Sequence, residues 1–173
     1  MSYLPNINLL EDIQLVSGFA PIALTTARTG DVVSMKNYRR CLVVFFKGIG
    51  TAGQDPTLTL DQGTSVAFST NKALTFTTIY KKQDPTSLAD VGQWTKVTQA
   101  AGTSYTDATS AEQEAIWVVD VKAEDLDIAN DYDCIRASLG DVGTASQIGA
   151  VLYILYDAIQ NAAPESMASA IID

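Results

Sequence analysis

The chain has 173 residues and a formal net charge of −9, with 47% hydrophobic and only 18% charged residues. This length fits one domain with a full two-layer core, and the charged share is below the roughly 25% of an average globular protein. The eleven basic residues are scattered along the chain, which argues against nucleic acid and anionic membranes as partners, since both require clustered Lys and Arg.

The first 20 residues are rich in apolar side chains that follow no firm period. They contain two acidic residues and no Lys or Arg, so the charged start of a signal peptide is missing. Such a segment packs either on its own domain or on a partner, and the pattern leaves both open. The candidate protein–protein contacts that it offers are Leu4, Ile7, Leu9, Leu10, Ile13, Leu15 and Phe19.

Most of the remaining periodic segments are typical of β-strands. Residues 39–47 form a β-branched and aromatic run that ends before Gly48, which predicts a central strand. Further strands are predicted by alternation at residues 57–60 and 73–80, and a short hairpin is predicted from 94–98 and 103–106 around Ala101 and Gly102.

The second half continues in the same style, with strands predicted at 114–121, 132–139 and 150–156 and one helical turn at 122–126. The longest apolar stretch, residues 148–156, is too short to span a membrane. About eight strands without strand–helix alternation predict a mostly β protein, an antiparallel β-sandwich of jelly-roll-like topology with an extended N-terminal arm. We divide the chain into an arm and first strand (1–29), a sandwich domain (30–160) and an extended C-terminal tail (161–173).

The residue types argue against catalysis. The absence of histidine removes Ser-His-Asp and Cys-His arrangements and the commonest metal ligand. Residues 125–133 are acidic but fail the calcium-loop pattern, with Asn130 where glycine belongs, so an exposed turn is favoured. We therefore predict no enzyme activity, no cofactor and no metal site, and we interpret Trp117 as a core residue. Cys41 and Cys134 lie in apolar runs and are predicted to be buried, reduced thiols.

Residues 30–173 resemble the head decoration or cement proteins of tailed bacteriophages. The likeness is one of order and composition, carried by residues 30–38, 74–76, 94–96, 116–121, 124–127, 132–136 and 167–173. The resemblance implies a jelly-roll-like sandwich that forms a homodimer or homotrimer. It also implies that the sandwich binds the major capsid protein on the outer surface of the head.

On this basis we expect a virion structural protein, made and assembled in the host cytoplasm and located on the capsid exterior. Two alternatives stay open at this point. One is a tail, neck or baseplate component, and the other is a carbohydrate-binding β-sandwich module.

Overall fold

The structure, a computed structural model, describes residues 8–143 and 147–172. The predicted contact residues Leu4 and Ile7 lie outside these ranges. The described residues form eleven strands: β1 (Gln14–Ala23), β2 (Arg28–Ser34), β3 (Tyr38–Lys47), β4 (Thr57–Gly63), β5 (Asn71–Ala73), β6 (Phe76–Asp84), β7 (Thr95–Gly102), β8 (Ser104–Thr106), β9 (Glu114–Lys122), β10 (Cys134–Leu139) and β11 (Ile148–Ala158).

The strands form two antiparallel sheets that face each other across one core. The first sheet has six strands in the order β1-β11-β3-β9-β6-β7, and the second has the order β2-β10-β4-β5 with β8 also paired to β4. Because successive strands pass back and forth between the sheets, the β1–β4 and β8–β11 segments wrap as a jelly roll. The predicted fold class is therefore confirmed. The β6–β7 hairpin extends the first sheet beyond β9.

The core consists of the inward-facing residues of both sheets. In β3, Cys41, Val43 and Phe45 are fully buried, and the intervening residues point away from the core. Trp117 of β9 is also fully buried and donates its indole N–H to Gln83 Oε1 at 2.7 Å. Its ring packs edge-on against Phe45 and Tyr105. Trp117 is thus a core residue, as its apolar neighbours in the sequence predicted.

Tyr153 connects the two sheets inside the core. Its hydroxyl donates to the carbonyl of Asp31 at 2.9 Å and accepts the backbone N–H of Ala137 at 2.8 Å. The β10–β2 pairing shifts register between Arg136 and Ser138, so the tyrosine supplies the acceptor for a residue at the bulge. Gly30 packs against the same point, where a Cβ would lie only 2.7 Å from the carbonyl oxygen of Ala137.

β1 explains why the N-terminal segment has no firm period. It pairs with β11, but the register shifts twice, between Ser17 and Phe19 and again between Phe19 and Ile22, and Pro21 lies within it. Each shift moves the following side chains out of simple alternation. The first strand thus lies within the predicted segment 1–29, while the boundary drawn at residue 30 falls inside β2.

The predicted hairpin at residues 94–106 is wrong. β7 pairs with β6 in the first sheet, and β8 pairs with β4 in the second sheet. The chain crosses between the sheets at Thr103, whose carbonyl accepts the N–H of Leu60 at 3.1 Å. Small residues near Gly102 allow a tight hairpin and a crossing between sheets equally well, so the local pattern does not distinguish them.

The acidic segment at residues 125–133 forms a turn, as predicted. It contains a short 3-10 turn, Ile128–Asn130, followed by Asp131 in the left-handed conformation with φ of 62°. The Asp127 carboxylate accepts from Asn130 and lies beside Lys72. Both cysteines are buried, and no disulfide joins Cys41 and Cys134.

The C-terminal segment lies against the sandwich. After a 3-10 turn at Pro164–Ser166, the carbonyl of Ala168 accepts the hydroxyl of Tyr38 at 2.6 Å. The carbonyl of Ala170 accepts the N–H of Ser34 at 2.7 Å, and Ala170 itself is buried. The tail therefore covers part of β2 and the start of β3.

Candidate functional site

The outward surface of the six-stranded sheet, here called the outer face, carries mostly apolar and aromatic side chains. Three rows of paired residues cross it. The middle row is Ser17, Leu152, Val44, Val118 and Tyr80, from β1 to β6. The Phe46 row is Ala150, Phe46, Ile116 and Lys82. The Leu42 row is Leu15, Ile154, Leu42 and Asp120. Ten of these thirteen side chains are apolar or aromatic.

A shallow depression of about 460 Å³ lies in the middle of the outer face. Trp94, just before β7, closes its β6–β7 side, and the ammonium of Lys82 lies 5.2 Å from the centre of the Trp94 ring. The lining is made entirely of apolar and aromatic residues: Leu42, Val44, Tyr80, Trp94, Ile116, Val118 and Ile154.

Charged residues border the two ends of the outer face. At one end Arg40 of β3 pairs with Asp120 of β9, and the Tyr156 hydroxyl donates to Asp120 at 2.9 Å. Burial together with the Asp120 carboxylate raises the pKa of Tyr156 to about 12, so its hydroxyl stays protonated at neutral pH. Lys122 lies at the same end, opposite Arg40 in the strand register.

The other end of the outer face carries acidic residues. Asp84 of β6 lies opposite Glu114 of β9 in the strand register, and the Glu114 carboxylate accepts the N–H of Leu88.

The outer face leaves several large apolar and aromatic side chains half exposed. Phe46 is 50% exposed, Trp94 49% and Leu15 49%, and Leu152 and Tyr80 are each 38% exposed. At about 150–250 Å² for a whole aromatic side chain, these exposed fractions correspond to on the order of 450 Å² of mostly apolar surface. The largest patch on a typical monomer is about 300–600 Å² and is often functional, so the outer face fits a protein-binding surface.

The predicted contact residues do not form one cluster. Leu15 belongs to the outer face, and Phe19 packs partly buried against the core. Leu9 is 64% and Leu10 is 48% exposed, both within the 3-10 turn that precedes β1, and Ile13 is half-buried. Leu9 and Leu10 thus expose large apolar side chains outside the outer face.

The outer face was missed from the sequence, although a signal for it exists. Residues 42–46 of β3 and 151–155 of β11 are continuous apolar runs. In an antiparallel sheet with one solvated face, polar residues alternate with apolar ones, and continuous runs indicate a strand covered on both faces. The run in β3 predicted a central strand and the run in β11 predicted a strand, but neither was interpreted as a strand that needs a covering layer on its outer side.

Two charged groups inside the molecule, Lys47 and Asp107, have structural partners. Lys47 is buried at the end of β3, and its ammonium donates to the carbonyls of Gln113 at 2.7 Å and Gly48 at 3.0 Å. Burial lowers the pKa of Lys47 to about 8. Burial would raise the pKa of Asp107, but hydrogen bonds from Lys81 and Thr109 outweigh it and hold that pKa well below its usual value.

Within the described ranges no three His, Cys, Asp or Glu side chains come together as a metal-binding group. None of the helices formed by residues 8–143 and 147–172 is long and apolar enough to cross a membrane.

No protein-family model matches the chain, and no curated protein sequence matches it. Among solved structures, it is similar to the crystal structure of the SPBc2 prophage-derived protein YomS. The two share 12% identity with a TM-score of 0.48, over 83% of this chain and 92% of that chain. This likeness is too distant to assign a family or a function.

Proposed function

We propose that this chain is a structural protein of a tailed-phage particle that binds the outer surface of the head. There it stabilises the lattice of the major capsid protein through protein–protein contacts, without catalysis and without a cofactor. The observation that carries the proposal is the outer face. It is an apolar surface on a sandwich whose core is already buried between its two sheets. The resemblance of residues 30–173 to head decoration proteins supports the same role.

The physical requirements of a decoration protein fit this molecule. It must fold before it meets the shell, and this chain has its own core between two sheets. It must then assemble by excluding water from apolar surface. The exposed Leu9 and Leu10 offer such surface to the shell, and the outer face offers it to a neighbouring protein of the particle. A net charge of −9 disfavours non-specific association of the free protein, because the molecules repel one another.

A carbohydrate-binding role is less well supported. Sugar sites combine aromatic stacking with polar groups that fix the orientation of the hydroxyls. Trp94 and Tyr80 could stack on a sugar ring, but the depression beside them is lined by aliphatic side chains. The nearest charged group on the Trp94 side, Lys82, lies over the ring itself.

Co-sedimentation with phage heads tests the proposal. The protein should pellet with expanded empty heads of the phage that encodes it, in a fixed stoichiometry to the major capsid protein. Absence of binding to expanded heads would overturn the proposal, and binding to purified tails instead would favour a tail, neck or baseplate role.

Two variants test whether the N-terminal segment takes part. Replacing Leu9 and Leu10 by Ser should weaken head binding about tenfold or more, because two exposed leucines would no longer be buried in the complex. Ile171→Ser is the matched control, since Ile171 is 56% exposed on the C-terminal segment, next to Ala170, which bonds Ser34 of the other sheet. Deleting residues 1–20 is unsuitable because it would remove most of β1.

A further inference from the structure

We propose that the outer face is covered by the outer face of a second copy of this chain. The two copies would be related by a two-fold axis that runs along the middle row, across the strands. This inference rests on the proposed role of the outer face in assembly, and it names the partner: another copy of the same sandwich.

The size of the outer face fits a dimer. A stable protein–protein interface buries about 800 Å² on each partner, of which somewhat more than half is apolar. The outer face offers on the order of 450 Å² of mostly apolar surface with a charged border at both ends, which is the composition of such an interface. Two sheets stack face to face at about 10 Å with their strands within about 30° of alignment.

The side chains of the outer face are complementary to themselves under this symmetry. Rotation about the middle row places the Phe46 row of one copy over the Leu42 row of the other. In β11 the small Ala150 then faces the larger Ile154, and in β3 Phe46 faces Leu42. Val44, Val118 and Leu152 lie on the axis and pack against their own counterparts.

The charges are complementary under the same rotation. The acidic end of the outer face, with Glu114, is placed over the end of the other copy that carries Arg40 and Lys122, whose partners within one chain are Asp120 and Glu124. Lys82 in the Phe46 row is brought next to Asp120 in the Leu42 row of the other copy. Glu114 and Lys122 are the first and last residues of β9. Glu114 of each copy therefore lies over Lys122 of the other copy, and one strand supplies both partners of this ion pair. This favours a second copy over an unrelated protein.

Sedimentation velocity of the full chain tests the dimer. The wild-type protein should sediment as a dimer at micromolar concentration, and Leu152→Lys should dissociate at least a hundredfold more readily, because it buries two lysines on the axis. Ile171→Lys adds the same charge at an exposed position of the C-terminal segment, beside the second sheet, and should leave the dimer intact. A monomeric wild type, or a Leu152→Lys protein as dimeric as the control, would overturn the inference.

A charge exchange tests the orientation. Glu114→Lys should raise the dimer dissociation constant about tenfold, and adding Lys122→Glu should return it close to the wild-type value. Circular dichroism of each variant checks that the sandwich is intact. A double variant that is no tighter than Glu114→Lys would rule out this axis.

The outcomes separate this inference from the proposed function. A dimer that does not bind heads would overturn the decoration role and keep the dimer. A monomer that binds heads would overturn the dimer and keep the decoration role.

Discussion

The hydroxyl of Tyr153 supplies a hydrogen-bond acceptor to the β-bulge of β10 inside an apolar core. A buried N–H without an acceptor costs about 1–3 kcal/mol, and Ala137 receives its acceptor from a side chain of the opposite sheet. The tyrosine thereby fixes both the separation of the sheets and the register of β10 against β2.

Tyr153→Phe should therefore lower the free energy of unfolding by about 1–3 kcal/mol, because the ring still fills its space while Ala137 loses its acceptor. Urea denaturation followed by fluorescence measures the change. Tyr80→Phe is the control, because Tyr80 lies exposed on the outer face, and it should change stability by less than about 0.5 kcal/mol. Equal losses in the two variants would contradict the role given to the hydroxyl.

Lys47 should make stability depend on pH in a definite direction. Its pKa is lowered from 10.5 to about 8 by burial, so between these values the unfolded chain binds more protons than the folded one. Stability from this group therefore rises with pH over that interval and is constant below it. Cys41 acts in the opposite direction, because burial raises the pKa of its thiol.

Comparison with Lys47→Met isolates the lysine from the thiols and tyrosines. The wild type should gain about 1–2 kcal/mol relative to Lys47→Met between pH 8 and pH 9.5. The measurement is a pair of urea titrations at each pH. A difference between the two proteins that does not change with pH would contradict the lowered pKa.

At the scale of elements, the C-terminal segment behaves as part of the sandwich. It accepts hydrogen bonds from Ser34 and Tyr38 and buries Ala170. Removing residues 162–173 should therefore lower the melting temperature by at least about 5 °C, as measured by calorimetry, because these contacts are lost. Removing only residues 171–173 spares these contacts, and Ile171 and Ile172 are exposed, so the melting temperature should then change by less than about 2 °C. Equal effects would show that Ala168 and Ala170 do not stabilise the fold.

Strands with regular pairing were predicted better from the sequence than strands with register shifts or with partners in the other sheet. The regular strands β3, β4, β9, β10 and β11 were predicted because their alternation or apolar content is unbroken. A first strand was expected within residues 1–29, but the bounds of β1 were not predicted, because two register shifts and Pro21 interrupt its alternation. The partners of β7 and β8 depend on tertiary contacts that no local pattern contains.

The candidate site was harder to predict than the fold. The sequence pointed to the apolar N-terminal residues, of which the structure places Leu15 on the outer face and Phe19 against the core. The remaining members of the outer face come from β11, β3, β9 and β6, which become neighbours only when the sheet forms. Which residues share a row depends on register between distant strands.

At the scale of the whole molecule, a dimer makes thermal stability depend on concentration. Since only the folded chain can associate, the melting temperature of the wild type should rise as its concentration increases from about 1 to 100 μM. Phe46→Lys, altered at a half-exposed position of the outer face, should melt at the same temperature throughout this range. A wild-type melting temperature that is independent of concentration would argue against a dimer of folded chains.

The place of β1 at one edge of the six-stranded sheet has a consequence for attachment. An axis that runs across the strands keeps each strand on its own side, so the β1 edges of both copies lie on one flank of the dimer. The exposed Leu9 and Leu10 precede β1, so the two pairs would emerge on that flank at opposite ends of the strands, one on each side of the axis. A dimer of this kind is bivalent. Once one copy has bound the head, the other copy is held near a second binding site at a high effective concentration. The dimer is released only when both copies dissociate.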